Sequence, residues 1–341
     1  MAGTSRYIRL AASGMVCVGI VLTALGATLP LMTDRFSIDK EAAGALLALV
    51  SFGFLVGSLA FGPIVDRNGY RTMLVWSFGA SAAALAIVAF APSLLMLRAA
   101  LLVLGVAGGM VNGGVNALTA DVSGDERSAA LTFVGAFFGV GAAGVPLLLY
   151  GFADSIRYET ILAASGLYLL VPLAMSLRMS FPESKQPHGF PMDDARRLLA
   201  SSLLLLIGLM LFLESGVETI TGGFITTFFV ERFAVSAERA PIFLSVYWFG
   251  LLVGRLALSR LLRTISTSRL VLASIAVAVI GVLLVLNTRD ARLGGAGAFL
   301  LGCGYASTFP VMFGVIGERF AHLSGTALGV AMTMALIGGV V

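Results

Sequence analysis

Two glutamates inside a long apolar stretch are the residues of this sequence best suited to chemistry. Glu214 and Glu218 are four residues apart, so a helix places both on one face. An ionisable group at membrane depth is costly and therefore indicates function, and burial favours the protonated form of a carboxyl group. We predict that Glu218 carries a proton and that Glu214 shares it or only hydrogen-bonds. The alternative is that a neighbouring helix holds Glu218 for structural reasons.

A pair of asparagines and two aromatic residues form a second set of candidates. Asn112 and Asn116 are also four residues apart, in a glycine-rich apolar stretch. An amide both donates and accepts hydrogen bonds, which suits a hydroxyl-rich ligand, although such residues also join helices to each other. Tyr305 and Phe309 can stack on a ligand ring or simply pack. We predict these four residues as substrate-binding.

The composition shows what positions these side chains. The chain has 341 residues, of which 58% are hydrophobic and 12% charged, and its mean hydropathy is +0.99. Too little polar surface is available to cover such a chain in water, so lipid must be its solvent. We predict an all-α polytopic membrane protein, because about 20 apolar residues span a bilayer as a helix. Eleven windows qualify, at 8–33, 41–65, 70–91, 94–119, 127–151, 158–181, 200–230, 241–262, 268–287, 293–317 and 324–341.

The basic residues predict the orientation of these helices. With the N-terminus in the cytoplasm, 13 Lys and Arg residues fall in inner segments and 7 in outer loops. This bias favours a cytoplasmic N-terminus. The longest connection, 182–199, contains proline, glycine and several charges, and we interpret it as a cytoplasmic linker.

An internal repeat divides the chain at that linker. A shift of 197 residues places 52–60 on 249–257 with seven of nine positions identical, and places Gly141 on Gly338. Parallel repeats of this kind occur in secondary transporters. We therefore predict two pseudo-symmetric six-helix bundles, one at 1–181 and one at 200–341. The partner of helix 158–181 would lie near 355–378, so we expect the twelfth helix to be absent from this chain.

The loop between the second and third predicted helices carries a recognisable motif. Residues 62–71 read Gly-Pro-Ile-Val-Asp-Arg-Asn-Gly-Tyr-Arg, which resembles the G-x-x-x-D-R-x-G-x-R signature of the major facilitator superfamily. Gly62 would allow close helix approach and Gly69 would permit a tight turn. The resemblance implies that Asp66 meets the positive end of the helix that begins near Ser324. The alternative is a polar loop that only sets topology. We assign a cytoplasmic gate to Gly62, Asp66, Arg67, Gly69, Arg71 and the intramembrane Arg255.

Further segments resemble one branch of that superfamily, the fucose–galactose–glucose:proton symporters. The resemblance lies in Glu214-Ser-Gly-Val-Glu218, Tyr247-Trp-Phe-Gly, Gly254-Arg255, Phe309-Pro-Val-Met-Phe313 and Ile337-Gly-Gly. It implies proton-coupled uptake of a monosaccharide or related polyol across the bacterial inner membrane. The chain departs from the branch at Asn112, where a glutamate is usual, so Glu218 is the remaining proton carrier.

Several functions are left open and others are excluded. A proton antiporter that exports drugs or metabolites is the main alternative, since fold does not fix function. The scattered arginines suit lipid headgroups better than nucleic acid. No catalytic constellation, ligand-spaced histidines or phosphate loop is present, so we expect no enzyme and no cofactor. We expect a monomer whose partners are protons, a sugar-like substrate and the bilayer.

Overall fold

Helices account for nearly all the described residues of the computed structural model, and no strand occurs among them. The structure describes residues 2–123, 127–181, 201–261, 265–320 and 324–340. The helices are α1 Ala2–Phe36, α2 Lys40–Phe90, α3 Leu94–Val122, α4 Arg127–Gly151, α5 Tyr158–Tyr168, α6 Leu170–Arg178, α7 Ser202–Phe233, α8 Pro241–Leu261, α9 Thr267–Asn287, α10 Ala291–Tyr305, α11 Thr308–Arg319 and α12 Ser324–Gly338.

Most of the predicted spanning windows are single helices of membrane length. Within the described residues, nine helices are long and apolar enough to cross a membrane. The observed α7, α8 and α9 begin and end within three residues of the predicted windows 200–230, 241–262 and 268–287. The all-α polytopic fold predicted from hydropathy is therefore confirmed.

The loop of the 62–71 motif is so short that α2 runs through it as two helices joined at a kink. Gly69 lies at φ 77° and ψ 161°, inside a segment that otherwise remains helical from Lys40 to Phe90. Only glycine adopts this backbone conformation without strain. The tight turn predicted at Gly69 is present.

Side-chain caps mark where several spanning helices begin. The Asp39 carboxylate accepts a hydrogen bond of 2.8 Å from the Ala42 N–H, and the Ser93 hydroxyl accepts one from Met96. Ser201 caps α7 in the same way through the Leu204 N–H. Such caps satisfy backbone donors that the first helical turn leaves unpaired, so each helix starts at a defined residue.

The predicted helix 293–317 is interrupted. It forms α10 and α11, which are separated at Ala306 and Ser307 while the backbone stays close to helical dihedrals. Pro310 has no N–H and cannot bond the carbonyl of Ala306, which weakens the helix at this point. Two hydroxyl side chains, Ser307 and Thr308, thus lie where one helix ends and the next begins within an apolar segment.

The chain folds as two compact units. One contains α1 to α6 together with Ser236–Ser245, and the other contains α7, α8 from Val246 onward, and α9 to α12. The predicted linker 182–199 lies outside the described residues.

The same glycine contact occurs inside each unit, at positions that differ by 197. A Cβ built on Gly53 would come within 3.1 Å of Gly105 Cα, and one on Gly302 within 3.1 Å of the Gly250 carbonyl carbon. Any side chain would force these helices apart, so glycine sets their close packing. The internal repeat found in the sequence therefore also appears in how the helices pack within each unit.

Candidate functional site

The two glutamates lie halfway along α7, far from both ends of the helix. At 1.5 Å per residue, Glu218 is roughly 24 Å from Ser202 and roughly 22 Å from Phe233 along the axis. Both side chains are partly buried in the second unit, and Glu214 Oε1 has no hydrogen-bond partner among the described residues. Two carboxyl groups thus share one face of a membrane-spanning helix, as their spacing predicted.

Arg255 of α8 is the cation that acts on both carboxyl groups. Its charge interacts with Glu214 and with Glu218, although no hydrogen bond joins Arg255 to either residue in the described part of the chain. Its Nε is buried and without a hydrogen-bond partner there. The sequence analysis predicted a gate role for Arg255, which stays a prediction; in the structure its charge also interacts with the candidate proton carriers.

Two tyrosines from different helices complete this group. Tyr247 of α8 has no exposed surface, and its ring centroid lies 6.3 Å from that of Tyr305 at the end of α10. The Tyr247 hydroxyl has no hydrogen-bond partner within the described ranges, whereas the Tyr305 hydroxyl interacts with Thr221 of α7. Trp248 packs edge-on against Tyr247 with centroids 5.0 Å apart. These rings form an aromatic wall beside the carboxyl groups.

The interruption between α10 and α11 adds two hydroxyl groups that the sequence analysis missed. Thr308 interacts with the Glu214 carboxyl group, and Ser307 is 1% exposed with no hydrogen-bond partner for its Oγ in the described residues. The signal for them was Pro310, because a proline inside a spanning window predicts a bend where polar side chains can face inward. We refer to Glu214, Glu218, Tyr247, Arg255, Tyr305, Ser307 and Thr308 as the polar cluster.

The polar cluster presents both donors and acceptors that the described protein atoms do not satisfy. Arg255 Nε–H can only donate, the Glu214 carboxyl group only accepts while it is ionised, and the Tyr247 and Ser307 hydroxyls can do either. Buried polar atoms in folded proteins normally have partners, and an unpaired one costs about 1–3 kcal/mol. Four such atoms within one cluster indicate a site built for something other than stability.

Phe309, which we predicted as substrate-binding, lies next to the hydrophobic core of the second unit. With Phe313 it packs against a cluster of buried residues that includes Leu211, Met312 and Ile316. The two rings meet edge-on with centroids 5.8 Å apart. These contacts give Phe309 a packing role, and its predicted role in substrate binding stays a prediction.

The asparagine pair lies in α3, in the first unit, and its members bond to each other. Asn116 Nδ2 donates to the Asn112 carbonyl oxygen at 2.9 Å and to Asn112 Oδ1 at 3.3 Å. Both residues are partly buried. The amides therefore retain free acceptor and donor capacity for a ligand, but part of it is used within the helix.

The first unit has no charged counterpart of the polar cluster at the repeat-related positions. Subtracting 197 from the positions of Glu214, Glu218 and Arg255 gives Cys17, Val21 and Ser58. Cys17 and Val21 are each 1% exposed and contribute apolar packing. Among these repeat-related positions, only those of the second unit carry charged side chains.

The structure describes some of the contacts expected for the 62–71 motif and not others. Among the described residues, a Cβ at Gly62 would meet no atom within 4 Å, so no close helix approach is found there within that part of the chain. Arg71 Nη2 donates to the Leu177 carbonyl at 2.8 Å, and the neighbouring Tyr70 hydroxyl donates to Asp121 at 2.8 Å. Arg67 is exposed. The side chains of Asp66 and of the first residues of α12 lie outside the described part, so the predicted contact between them stays a prediction.

Known proteins with this architecture are membrane carriers. A relative from Bacillus subtilis (strain 168), the uncharacterized MFS-type transporter YfkL, is 24% identical over 345 residues, which cover 96% of this chain and 86% of the relative. A crystal structure of a mutant of the nucleoside transporter NupG matches with a TM-score of 0.81 at 16% identity, over 99% of this chain and 88% of that one.

A second solved structure gives the same result. The D-xylose-proton symporter matches with a TM-score of 0.80 at 14% identity, again over 99% of this chain and 88% of that one. Identities this low establish the fold alone. Residues 11–341 match the Major Facilitator Superfamily as a whole. The chain therefore belongs to the Major Facilitator Superfamily, and it is a multi-span membrane transporter rather than an enzyme.

Proposed function

We propose that this protein is a secondary active transporter that couples proton movement to the uptake of a monosaccharide or related polyol by alternating access. The observation that carries the proposal is the polar cluster, in which Glu214, Tyr247, Arg255 and Ser307 each keep a buried polar atom without a partner among the described residues. The resemblance to the fucose–galactose–glucose:proton symporters supports the same substrate class.

A hydroxyl group is the ligand group that best fits these atoms. It can accept from Arg255 Nε–H and donate to Glu214 Oε1 at the same time, which neither a purely apolar group nor a simple anion does. The aromatic wall of Tyr247 and Tyr305 offers a face for the apolar side of a sugar ring. Asn112 and Asn116 remain proposed substrate ligands from the first unit.

Glu218 is the proposed proton carrier, with Glu214 beside it. Its position halfway along α7 makes it the ionisable group of that helix most distant from both ends. A carboxyl group there binds a proton when water is excluded and releases it when one side opens. The gate role of Gly62, Asp66, Arg67, Gly69, Arg71 and Arg255, the cytoplasmic N-terminus, the inner-membrane location and the monomeric state belong to the same proposal.

Sugar uptake by energised right-side-out vesicles tests the proposal directly. Vesicles that contain the protein should show alkalinisation of the outside medium when L-fucose, D-xylose or D-sorbitol is added, because a symporter takes up a proton with each substrate. Glu218→Gln should abolish the alkalinisation. The conservative change Glu231→Gln, at an exposed position of the same helix, is the matched control and should leave it intact.

Two results would contradict the proposal. Normal proton coupling in the Glu218→Gln variant would remove the assigned carrier. Accumulation of drugs or metabolites in everted, proton-energised vesicles, with no sugar-dependent proton movement, would establish the antiport alternative instead.

A further inference from the structure

The polar cluster holds two acidic groups and one basic group in an apolar surrounding. Glu214 and Glu218 come from α7 and Arg255 from α8. Among the described residues, the other titratable groups that interact with them are Tyr247 and Tyr305. A phenol is ordinarily uncharged near neutral pH. Cys303 of α10 donates its thiol to the Gly250 carbonyl, and α12, which packs against α7, has no ionisable residue from Ser324 to Gly338.

One positive charge among two carboxyl groups leaves an imbalance. If both carboxyl groups were ionised, the cluster would carry a net negative charge halfway along a spanning helix. An uncompensated charge in such a place costs several kcal/mol. If both were protonated, Arg255 would be the uncompensated charge, so the neutral arrangement has one carboxyl protonated and one ionised.

We propose that Glu214 and Glu218 share a single proton and that Arg255 fixes this number by balancing the charge of the other carboxylate. The inference rests on the proposed proton coupling and deepens it, since it makes Arg255 a positioning residue for the coupling proton. The carrier then moves one proton per cycle, and the two carboxyl groups titrate as a pair rather than as separate sites.

The geometry favours sharing over a fixed ion pair. Arg255 interacts electrostatically with both residues but hydrogen-bonds to neither among the described residues, so it does not select one of them. The four-residue spacing keeps both carboxyl groups on one face of α7, and the repulsion between their charges is part of the environment of Glu214. A proton can therefore pass between the two groups while the balance with Arg255 is kept.

Charge balance predicts an unusual pattern of variants. Glu214→Gln and Glu218→Gln should each remove the need for the proton, because the remaining carboxylate is neutralised by Arg255. Adding Arg255→Gln to either variant should restore a protonated carboxyl group, since the remaining carboxylate then has no counter-charge. Arg255→Lys keeps the positive charge and should leave the wild-type pattern unchanged.

Infrared difference spectroscopy of the purified full chain in lipid measures this without any substrate. The C=O stretching band of protonated carboxyl groups, normalised to the amide signal at neutral pH, should lose one group in each single glutamine variant. It should regain that group in Glu214→Gln/Arg255→Gln. Helix content by circular dichroism establishes that each variant is folded; if the arginine variants do not fold, the two single glutamine variants decide the question.

Two spectroscopic results would overturn the proposal. One is a full-intensity band in either single glutamine variant, which would mean that the proton belongs to one residue regardless of charge. The other is a folded double variant without the restored band. Failure of sugar-dependent proton uptake with the predicted band pattern intact would instead refute the proposed substrate and leave the shared proton standing.

Discussion

Replacing Tyr247 with phenylalanine removes a fully buried hydroxyl that has no hydrogen-bond partner among the described residues. An unpaired buried polar group costs about 1–3 kcal/mol, so its removal should raise the free energy of unfolding by about 1 kcal/mol. The same change should weaken substrate binding, because a hydrogen bond to a ligand hydroxyl is worth about 0.5–1.5 kcal/mol, or roughly a 2- to 13-fold increase in Kd. A residue whose loss stabilises the protein but weakens binding serves function rather than folding.

Tyr70→Phe is the matched control for this prediction. Tyr70 is 5% exposed, and its hydroxyl donates to the Asp121 carboxylate at 2.8 Å. Loss of a hydrogen bond to a charged group should lower the free energy of unfolding by about 1.5–3 kcal/mol. Reversible unfolding in mixed micelles gives the stability of both variants, and titration with the best sugar from a thermal-shift screen gives Kd. Equal destabilisation by the two substitutions would show that the Tyr247 hydroxyl has a structural partner and would refute the reasoning.

Two predictions concern packing and the ends of helices. Gly302→Ala should destabilise the protein by about 1–3 kcal/mol, because the added Cβ would lie 2.7 Å from the Leu251 backbone nitrogen. Gly62→Ala should change stability by less than about 0.5 kcal/mol, since its Cβ meets no atom of the described residues within 4 Å. Similar stabilities of these variants in mixed micelles would contradict the packing argument. Arg35→Ala should lower stability by about 1–3 kcal/mol, because Arg35 donates at 2.9 and 2.7 Å to two carbonyls at the end of α2 and just beyond it. Arg35→Lys, which keeps the charge but not the two-pronged geometry, should recover only part of the loss.

The sequence predicted the helices well, whereas the roles it assigned to the site residues stay predictions. The windows for α7, α8 and α9 were found because a spanning helix must be apolar over its whole length, which is a local property. Gly69 was identified as a turn because glycine tolerates a positive φ, which is also a local property. The close approach expected at Gly62 is not found among the described residues, because it depends on what another helix brings there. Contacts of this kind occur instead at Gly53, Gly105, Gly250 and Gly302.

The substrate-binding predictions likewise relied on residue type, whereas the contacts of these residues depend on the tertiary structure. Asn112 and Asn116 were chosen for their residue type, yet part of their hydrogen-bonding capacity is used within α3. Phe309 was chosen for its ring and packs beside the core of its unit. Ser307 and Thr308 were not predicted, because short hydroxyl side chains are common in apolar helices. In the structure Thr308, the first residue of α11, interacts with Glu214.

The sequence by itself determined that this chain is a helical membrane protein with a 197-residue repeat, and it singled out the glutamates of α7. Hydropathy and helical spacing depend only on residues close together in the sequence. Only the tertiary structure decided which groups surround those glutamates. Arg255 and Thr308 act on Glu214 from other helices, and Glu214 in turn acts on Tyr247. The charge balance of the cluster depends on that assembly rather than on any single segment.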